Sequence, residues 1–256
     1  MAQMQIGDVR LNVQELGQGP LLVMCHGLVF GSIATWYFSA AATLAQRYHV
    51  VLYDQRGHGK SELTASGYDL TTQAADLAGL IEQVQCTATG VARPPVTLVG
   101  HSYGALIALH YALMQPQRVA RLVLIDAPLP ACRYVYPSMA SIDSQSALES
   151  LYPEALRSQL ERGARAARRQ QERMQTLFLH SSLRADVQAA ADIEDSRLAQ
   201  LSVPVLCLYG RDSDCLSAGE RLARTLPHAR LELLDCGHYI PVEAPAAMSA
   251  ALERFL

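Results

Sequence analysis

Between an apolar, β-like run, Val96-Thr97-Leu98-Val99, and a helix-like run from Ala105 to Met114 stands the pentapeptide Gly100-His101-Ser102-Tyr103-Gly104. A bare G-x-S-x-G recurs by chance, but a buried strand that turns at once into a helix is far more demanding. Such a turn forces the serine backbone into a strained conformation. Glycines two before and two after it remove the side chains that would collide there. The serine hydroxyl is then lifted clear of the sheet, and the first helical turn offers unpaired N–H groups and a positive dipole end to an anion. Ser102 is therefore a candidate nucleophile, against the plain alternative of a glycine-bounded turn with an idle serine.

The rest of the chain supplies a scaffold for that turn. Gln5 to Leu16 reads as an opening β-hairpin that turns at Gly7-Asp8. Leu21–Cys25, His49–Tyr53, Val96–Val99, Arg121–Ile125, Val203–Tyr209 and Arg230–Leu234 are apolar runs of the kind buried on both faces of a parallel sheet. Helical patterns separate them: Trp36 to Arg47, Leu70 to Val84, the run after Ser102, a helix from Ser217 whose Ser217-x-x-Glu220 fits a capping box, and Pro245 to Leu256. The expected fold is α/β, a mostly parallel, mainly eight-stranded sheet flanked by helices. The rhythm breaks after the sixth strand. Residues 127–195 hold no buried strand, Pro153 to Gln175 looks helical, and this stretch is expected to be a helical cap on a core made of residues 1–126 and 196–256. Ligands bind at the carboxyl ends of strands in such sheets, which gathers His26, Asp54, Ser102, Asp126, Asp214 and His238 on one rim.

A serine hydroxyl needs an imidazole to take its proton and a carboxylate to orient the imidazole. His238, preceded by Gly237 in the loop after the last strand, is the preferred base; His101 and His58 also adjoin glycines, but His101 flanks Ser102 on the tight turn. Three acids compete. Asp214 is preferred over its loop neighbour Asp212 and over Asp126, and gives the chain order serine, acid, histidine. Backbone N–H groups of Tyr103 and Leu28 are the expected oxyanion donors. His26 is expected to brace its loop, and no set of partner ligands accompanies it for a metal.

Composition excludes several classes. Of the 256 residues half are hydrophobic, 18% are charged and the net charge is −3, which gives no general attraction to nucleic acid. No apolar run approaches the roughly 20 residues of a membrane span, and the first residues lack a basic, apolar leader pattern, so the expected location is cytoplasmic. Six cysteines, Cys25, Cys86, Cys132, Cys207, Cys215 and Cys236, show no C-x-x-C spacing and read as small buried thiols.

Taken together, His26-Gly27 with Trp36, Asp54-x-Arg56-Gly57-x-Gly59-x-Ser61, Gly100-His101-Ser102-Tyr103-Gly104, Gln115-Pro116-Gln117-Arg118-Val119, Gly210-x-x-Ser213-Asp214 and Gly237-His238 with Glu243 and Pro245 resemble the α/β-hydrolase superfamily in its single-chain, capped form. The likeness covers nearly the whole chain outside the cap. The family's acid often stands three residues after the glycine, a place held here by Ser213; members similar to this chain carry Ser-Asp, which favours Asp214. Ala105 replaces a glycine common after the turn. The resemblance implies an acyl-serine reaction without metal or organic cofactor, unlike relatives that attack with aspartate.

The expected function is a serine hydrolase of a carboxylic ester, thioester or lactone. Alternatives are an acyltransferase that uses the same acyl-serine with a non-water acceptor, and a small-molecule receptor that binds without turnover. Trp36, Tyr134, Tyr136 and Phe178 are candidate pocket residues. Six arginines against three glutamates between Glu154 and Arg173 place Arg162, Arg165, Arg169 and Arg173 near one helical face. That stripe is either a solvated face or an attraction for substrate carried on coenzyme A or an acyl carrier protein.

Overall fold

A computed structural model describes residues 2–29, 31–85, 93–150, 152 and 154–256. Eight strands form one sheet: β1 (Ala2–Ile6), β2 (Val9–Leu16), β3 (Leu21–Cys25), β4 (His49–Tyr53), β5 (Val96–His101), β6 (Val119–Ile125), β7 (Val205–Gly210) and β8 (Ala229–Leu234). Their order is β1-β2-β4-β3-β5-β6-β7-β8. β2 is antiparallel to both neighbours, and every other pairing is parallel. The expected α/β architecture is borne out. Cys86 lies outside the described residues.

Alternation along the central strands divides the core, because successive side chains point to opposite faces. Leu21, Val23 and Cys25 of β3 join one hydrophobic cluster, while Leu22 and Met24 join the other. β7 divides likewise, with Val205, Cys207 and Tyr209 opposed to Leu206 and Leu208. Helices α1 (Ile33–Tyr37) and α2 (Ala41–Leu44) replace the single helix expected from Trp36 to Arg47, and α3 spans Leu70–Val84 as expected. α4 (Tyr103–Met114) is apolar all round, consistent with its burial.

Between β6 and β7 run α5 (Ala131–Tyr134), α6 (Tyr136–Ala140), α7 (Gln145–Ser150), α8 (Glu154–Glu161), α9 (Arg165–His180), α10 (Leu183–Ala189) and α11 (Asp195–Leu198). The helix expected from Pro153 to Gln175 is therefore two, and Pro153 itself lies outside the described residues. Gly163, at φ 73°, is the cause. Its N–H donates to Leu160 O at 2.9 Å while that of Ala164 donates to Gln159 O at 3.0 Å, the paired bonds that close a helix through a left-handed glycine.

α12 (Leu216–Thr225), α13 (Ile240–Glu243) and α14 (Pro245–Phe255) complete the chain. The capping box expected at Ser217 does not form: the cap position is Cys215, without a side-chain bond, and Ser217 lies inside the helix with Oγ 2.8 Å from Tyr134 Oη.

Arg173 fastens the inserted helices to the loop that follows β4. From α9 it donates through Nε to Gly57 O at 3.0 Å and through Nη2 to Ser61 O. Arg173→Met keeps the stem but strands two carbonyls. We expect a loss of about 2 kcal/mol, since hydrogen bonds to charged groups contribute about 1.5–3 kcal/mol. For a chain of this size that is a fall in Tm of about 4–8 °C. Exposed Arg169→Met is expected to shift Tm by under about 2 °C; equal shifts in thermal melts would refute the clamp.

Candidate active site

Ser102 sits between β5 and α4 at φ 54°, a left-handed conformation costly for a residue with a Cβ. The flanking glycines make the turn sterically feasible. A Cβ on Gly100 would run into Ala105, and one on Gly104 would run into the carbonyls of Cys25 and His26 at the end of β3. The only other described non-glycine residues with positive φ are Val29 (64°) and Asp126 (48°). Val29 lines the same cavity as Ser102 and Asp126 directly follows β6, so the described strain concentrates at the sheet's carboxyl rim.

From the loop after β8, His238 meets Ser102: its Nε2 accepts from Ser102 Oγ at 2.9 Å. Its Nδ1 donates to Asp126 Oδ2 at 2.6 Å. The acid facing the ring is therefore Asp126, not the expected Asp214. Asp126 follows β6, which lies between the strands leading to Ser102 and to Asp214. It is wholly buried and accepts from Gly210 N–H at 3.0 Å and Ser213 Oγ at 2.5 Å. Ser213, where the resemblance led an acid to be expected, thus serves this carboxylate as a donor. Asp212 and Asp214 line the cavity mouth and are exposed.

Gly210 and the loop before His238 approach closely, because a Cβ at Gly210 would strike the carbonyls of Cys236 and Gly237. His101, placed by its position on the tight turn as a structural residue, adds a second tie. Its Nε2 donates to the His238 carbonyl at 2.9 Å, and burial chiefly, with the neighbouring His238 ring, pushes its pKa down to about 4. His101 is thus a neutral strut beneath His238.

His26 and Asp54 hold the loop after β3. His26 Nδ1 donates to Gly27 O at 2.7 Å and its Nε2 accepts from Gln55 N–H at 2.9 Å. Asp54 accepts from Ile33 N–H at 2.8 Å and from Asn12 and Lys60. Arg56 is buried in a two-point pair with Asp76, at 2.7 and 2.8 Å. The Asp54-to-Ser61 motif is therefore scaffold for the rim. Leu28, in the same loop, lines the cavity, while Tyr103 opens α4, where a helix leaves its first N–H groups unbonded.

The cavity over Ser102 measures about 440 Å³. Its wall is Leu28, Val29, Pro128, Val135, Met139 and Ile142, with Tyr134 and Tyr239. Of the four expected pocket residues only Tyr134 is among them. Trp36 and Phe178 are packed in the two opposite core clusters at 0% and 1% exposure, and Tyr136 packs against the core. Their size and apolarity suited core and pocket alike.

Cys215 Sγ lies 3.9 Å from His238 Nδ1, so Asp126, Cys215 and His238 bring three ligand-type atoms within 4.8 Å of one another. Burial, then Asp126, pushes the Cys215 thiol up to about 12 and keeps it protonated. With Nδ1 and Oδ2 already bonded to each other, this group is arranged for proton transfer rather than for a cation. A hydroxyl, a ring and a buried carboxylate in line can deprotonate the hydroxyl and hold the resulting imidazolium.

Fold and rim together define a hydrolase scaffold, and comparison with known proteins agrees. The chain belongs to the alpha/beta hydrolase family, whose model matches residues 22–251. It is 31% identical to the protein named "Putative carbamate hydrolase RutD" of Variovorax paradoxus, over 93% of this chain and 92% of that one. It is 36% identical to the 2-(acetamidomethylene)succinate hydrolase of Mesorhizobium japonicum over 124 residues, 48% of this chain and 41% of that protein. Among solved structures, Est816, described as an N-acyl homoserine lactone degrading enzyme, superposes at a TM-score of 0.75 with 23% identity over 100% of both chains.

Proposed function

We propose that this protein is a serine hydrolase that cleaves a carboxylic ester, thioester or lactone through an acyl-serine. The observation that carries the reading is the continuous relay Ser102 Oγ–His238 Nε2 at 2.9 Å and His238 Nδ1–Asp126 Oδ2 at 2.6 Å. In it, His238 takes the hydroxyl proton as Ser102 attacks the carbonyl carbon, and Asp126 fixes the ring's tautomer and stabilises the imidazolium. The N–H groups of Leu28 and Tyr103 receive the oxyanion. Imidazolium then protonates the leaving group, and water, deprotonated by the same ring, releases the acid. The relatives named for carbamate and lactone substrates are consistent with attack on an activated acyl carbon.

Residues 127–195 act in this reading as the cap that shapes the acyl pocket, through Pro128, Tyr134, Val135, Met139 and Ile142. Carriage on coenzyme A or an acyl carrier protein is not part of it. Gly163 separates Arg162 from α9, Arg173 turns inward to the loop after β4, and Arg157 bonds the carbonyls of Tyr152 and Ser150. No described helix is long and apolar enough to cross a membrane. The five described cysteines are free, which suits a reducing cytoplasm.

A fluorophosphonate probe tests the mechanism. Stoichiometric labelling of Ser102, abolished in Ser102→Ala and accompanied by loss of p-nitrophenyl ester hydrolysis, is the expected result. Hydrolysis that survives Ser102→Ala, or a folded protein that does not label, would refute it.

A further inference from the structure

The cavity above Ser102 is lined by formal charge of one sign. Asp212 and Asp214 are carboxylates on its wall, and no lysine or arginine lines it. None of the residues outside the described set is basic. Behind His238 lies the buried Asp126 carboxylate. Of the lining imidazoles, His101 is held neutral and spends Nε2 on the His238 carbonyl, and His238 has both nitrogens engaged by Asp126 and Ser102. Two arginines adjoin lining residues in sequence. Arg211 is paired with Asp235 at 2.7 Å, and Arg133 is exposed, its guanidinium over the Tyr134 ring and outside the lining.

We infer that this site selects by charge: it takes uncharged or cationic esters and lactones and disfavours substrates that carry a carboxylate or phosphate beside the acyl carbon. The inference rests on the serine-hydrolase reading and names its substrate class. An anionic substrate entering here leaves water for a wall of Val135, Met139 and Ile142, finds no lysine or arginine, and approaches two like charges. A neutral hydrocarbon group loses nothing by that transfer, and an ammonium gains attraction at the mouth. Asp212 and Asp214 thus act on which substrate enters, while Asp126 serves the base. The selection would separate this chain from the relative named for a succinate derivative.

Three p-nitrophenyl esters of similar length form the test: pentanoate, hemiglutarate and 4-(trimethylammonio)butanoate. Each kcat/KM is divided by that ester's alkaline hydrolysis rate, to remove intrinsic reactivity. The pentanoate is expected to exceed the hemiglutarate by about fivefold or more, with the cationic ester at or above the pentanoate. About 0.5 M salt should narrow the gap in the wild type, because it screens exposed charges. The double variant Asp212→Asn/Asp214→Asn should narrow it at low salt, with a thermal melt to establish that the variant is folded. A hemiglutarate turned over as well as the pentanoate, or a gap that neither salt nor the double variant changes, would overturn the inference. Fluorophosphonate labelling of the same preparation separates the two readings. Labelled Ser102 with equal rates on all three esters removes charge selection and leaves the serine mechanism. Absence of labelling removes the mechanism and the selection that rests on it.

Discussion

Asp126→Asn is expected to lower kcat on a neutral ester by about 1,000- to 10,000-fold while leaving the protein folded, the size of effect seen when an orienting aspartate is made an amide in a serine triad. The buried carboxylate accepts three hydrogen bonds: Gly210 N–H at Oδ1, and Ser213 Oγ and His238 Nδ1 at Oδ2. In the amide, the oxygen stays with the fixed Gly210 N–H, which turns the NH2 toward His238. Nδ1 must then accept, the ring proton moves to Nε2, and Nε2 no longer takes the proton of Ser102. Asp214→Asn, at the exposed cavity mouth, keeps kcat on the same ester within about tenfold of wild type. The comparison of kcat for the two variants, with Ser102→Ala as the floor, decides the identity of the acid. A loss at Asp214→Asn as large as that at Asp126→Asn would reverse the assignment.

Acid is the second strong lever, and it acts on stability. His58 and His101 are buried as neutral rings, with pKa values pushed down to about 3 and about 4, mainly by burial. His58 Nδ1 lies 2.9 Å from Arg56 O, to which it donates, while its Nε2 has no partner among the described residues. His26 is shifted in the same direction by burial. Because the folded values lie below the unfolded value near 6.5, the unfolded chain binds protons first as pH falls. The stabilisation is complete above pH 6.5 and is lost on the way down to about 4 and 3. At pH 4.5 His58 and His101 together remove about 5 kcal/mol. Total stabilities are typically about 5–15 kcal/mol, so urea midpoints should collapse between pH 6.5 and 4.5. His101→Asn removes one titrating ring and should reduce the slope of stability against pH by about 1.4 kcal/mol per unit. A stability constant from pH 7 to 4.5 would contradict these buried neutral rings.

The same contacts show why some site features were legible in the residues and others were not. Ser102 and the elbow depend on a strand, two glycines and a helix that are adjacent in sequence, so local sterics specify them. His238 was legible because it follows the last strand behind a glycine. The pocket was not, since Trp36, Tyr134, Tyr136 and Phe178 are alike in pattern and only packing sends Trp36 and Phe178 into opposite core clusters and Tyr134 to the cavity. The expected basic stripe loses Arg162 at Gly163, whose left-handed backbone ends one helix before the next begins, and Arg173, which the loop after β4 draws inward, while Arg165 and Arg169 stay on an exposed face.

What the sequence alone determined is the scaffold and two members of the proposed relay, the hydroxyl of Ser102 and the ring of His238, because periodicity, turn chemistry and chain order are local properties. The tertiary structure decided which carboxylate faces the ring. Asp126, Asp212 and Asp214 all follow buried strands. Only the placement of β6 between β5 and β7, together with the inward turn of Asp126 at φ 48°, puts one carboxylate behind the imidazole and leaves the other two at the mouth. That choice depends on distances between strands remote in sequence, which no pattern along the chain encodes.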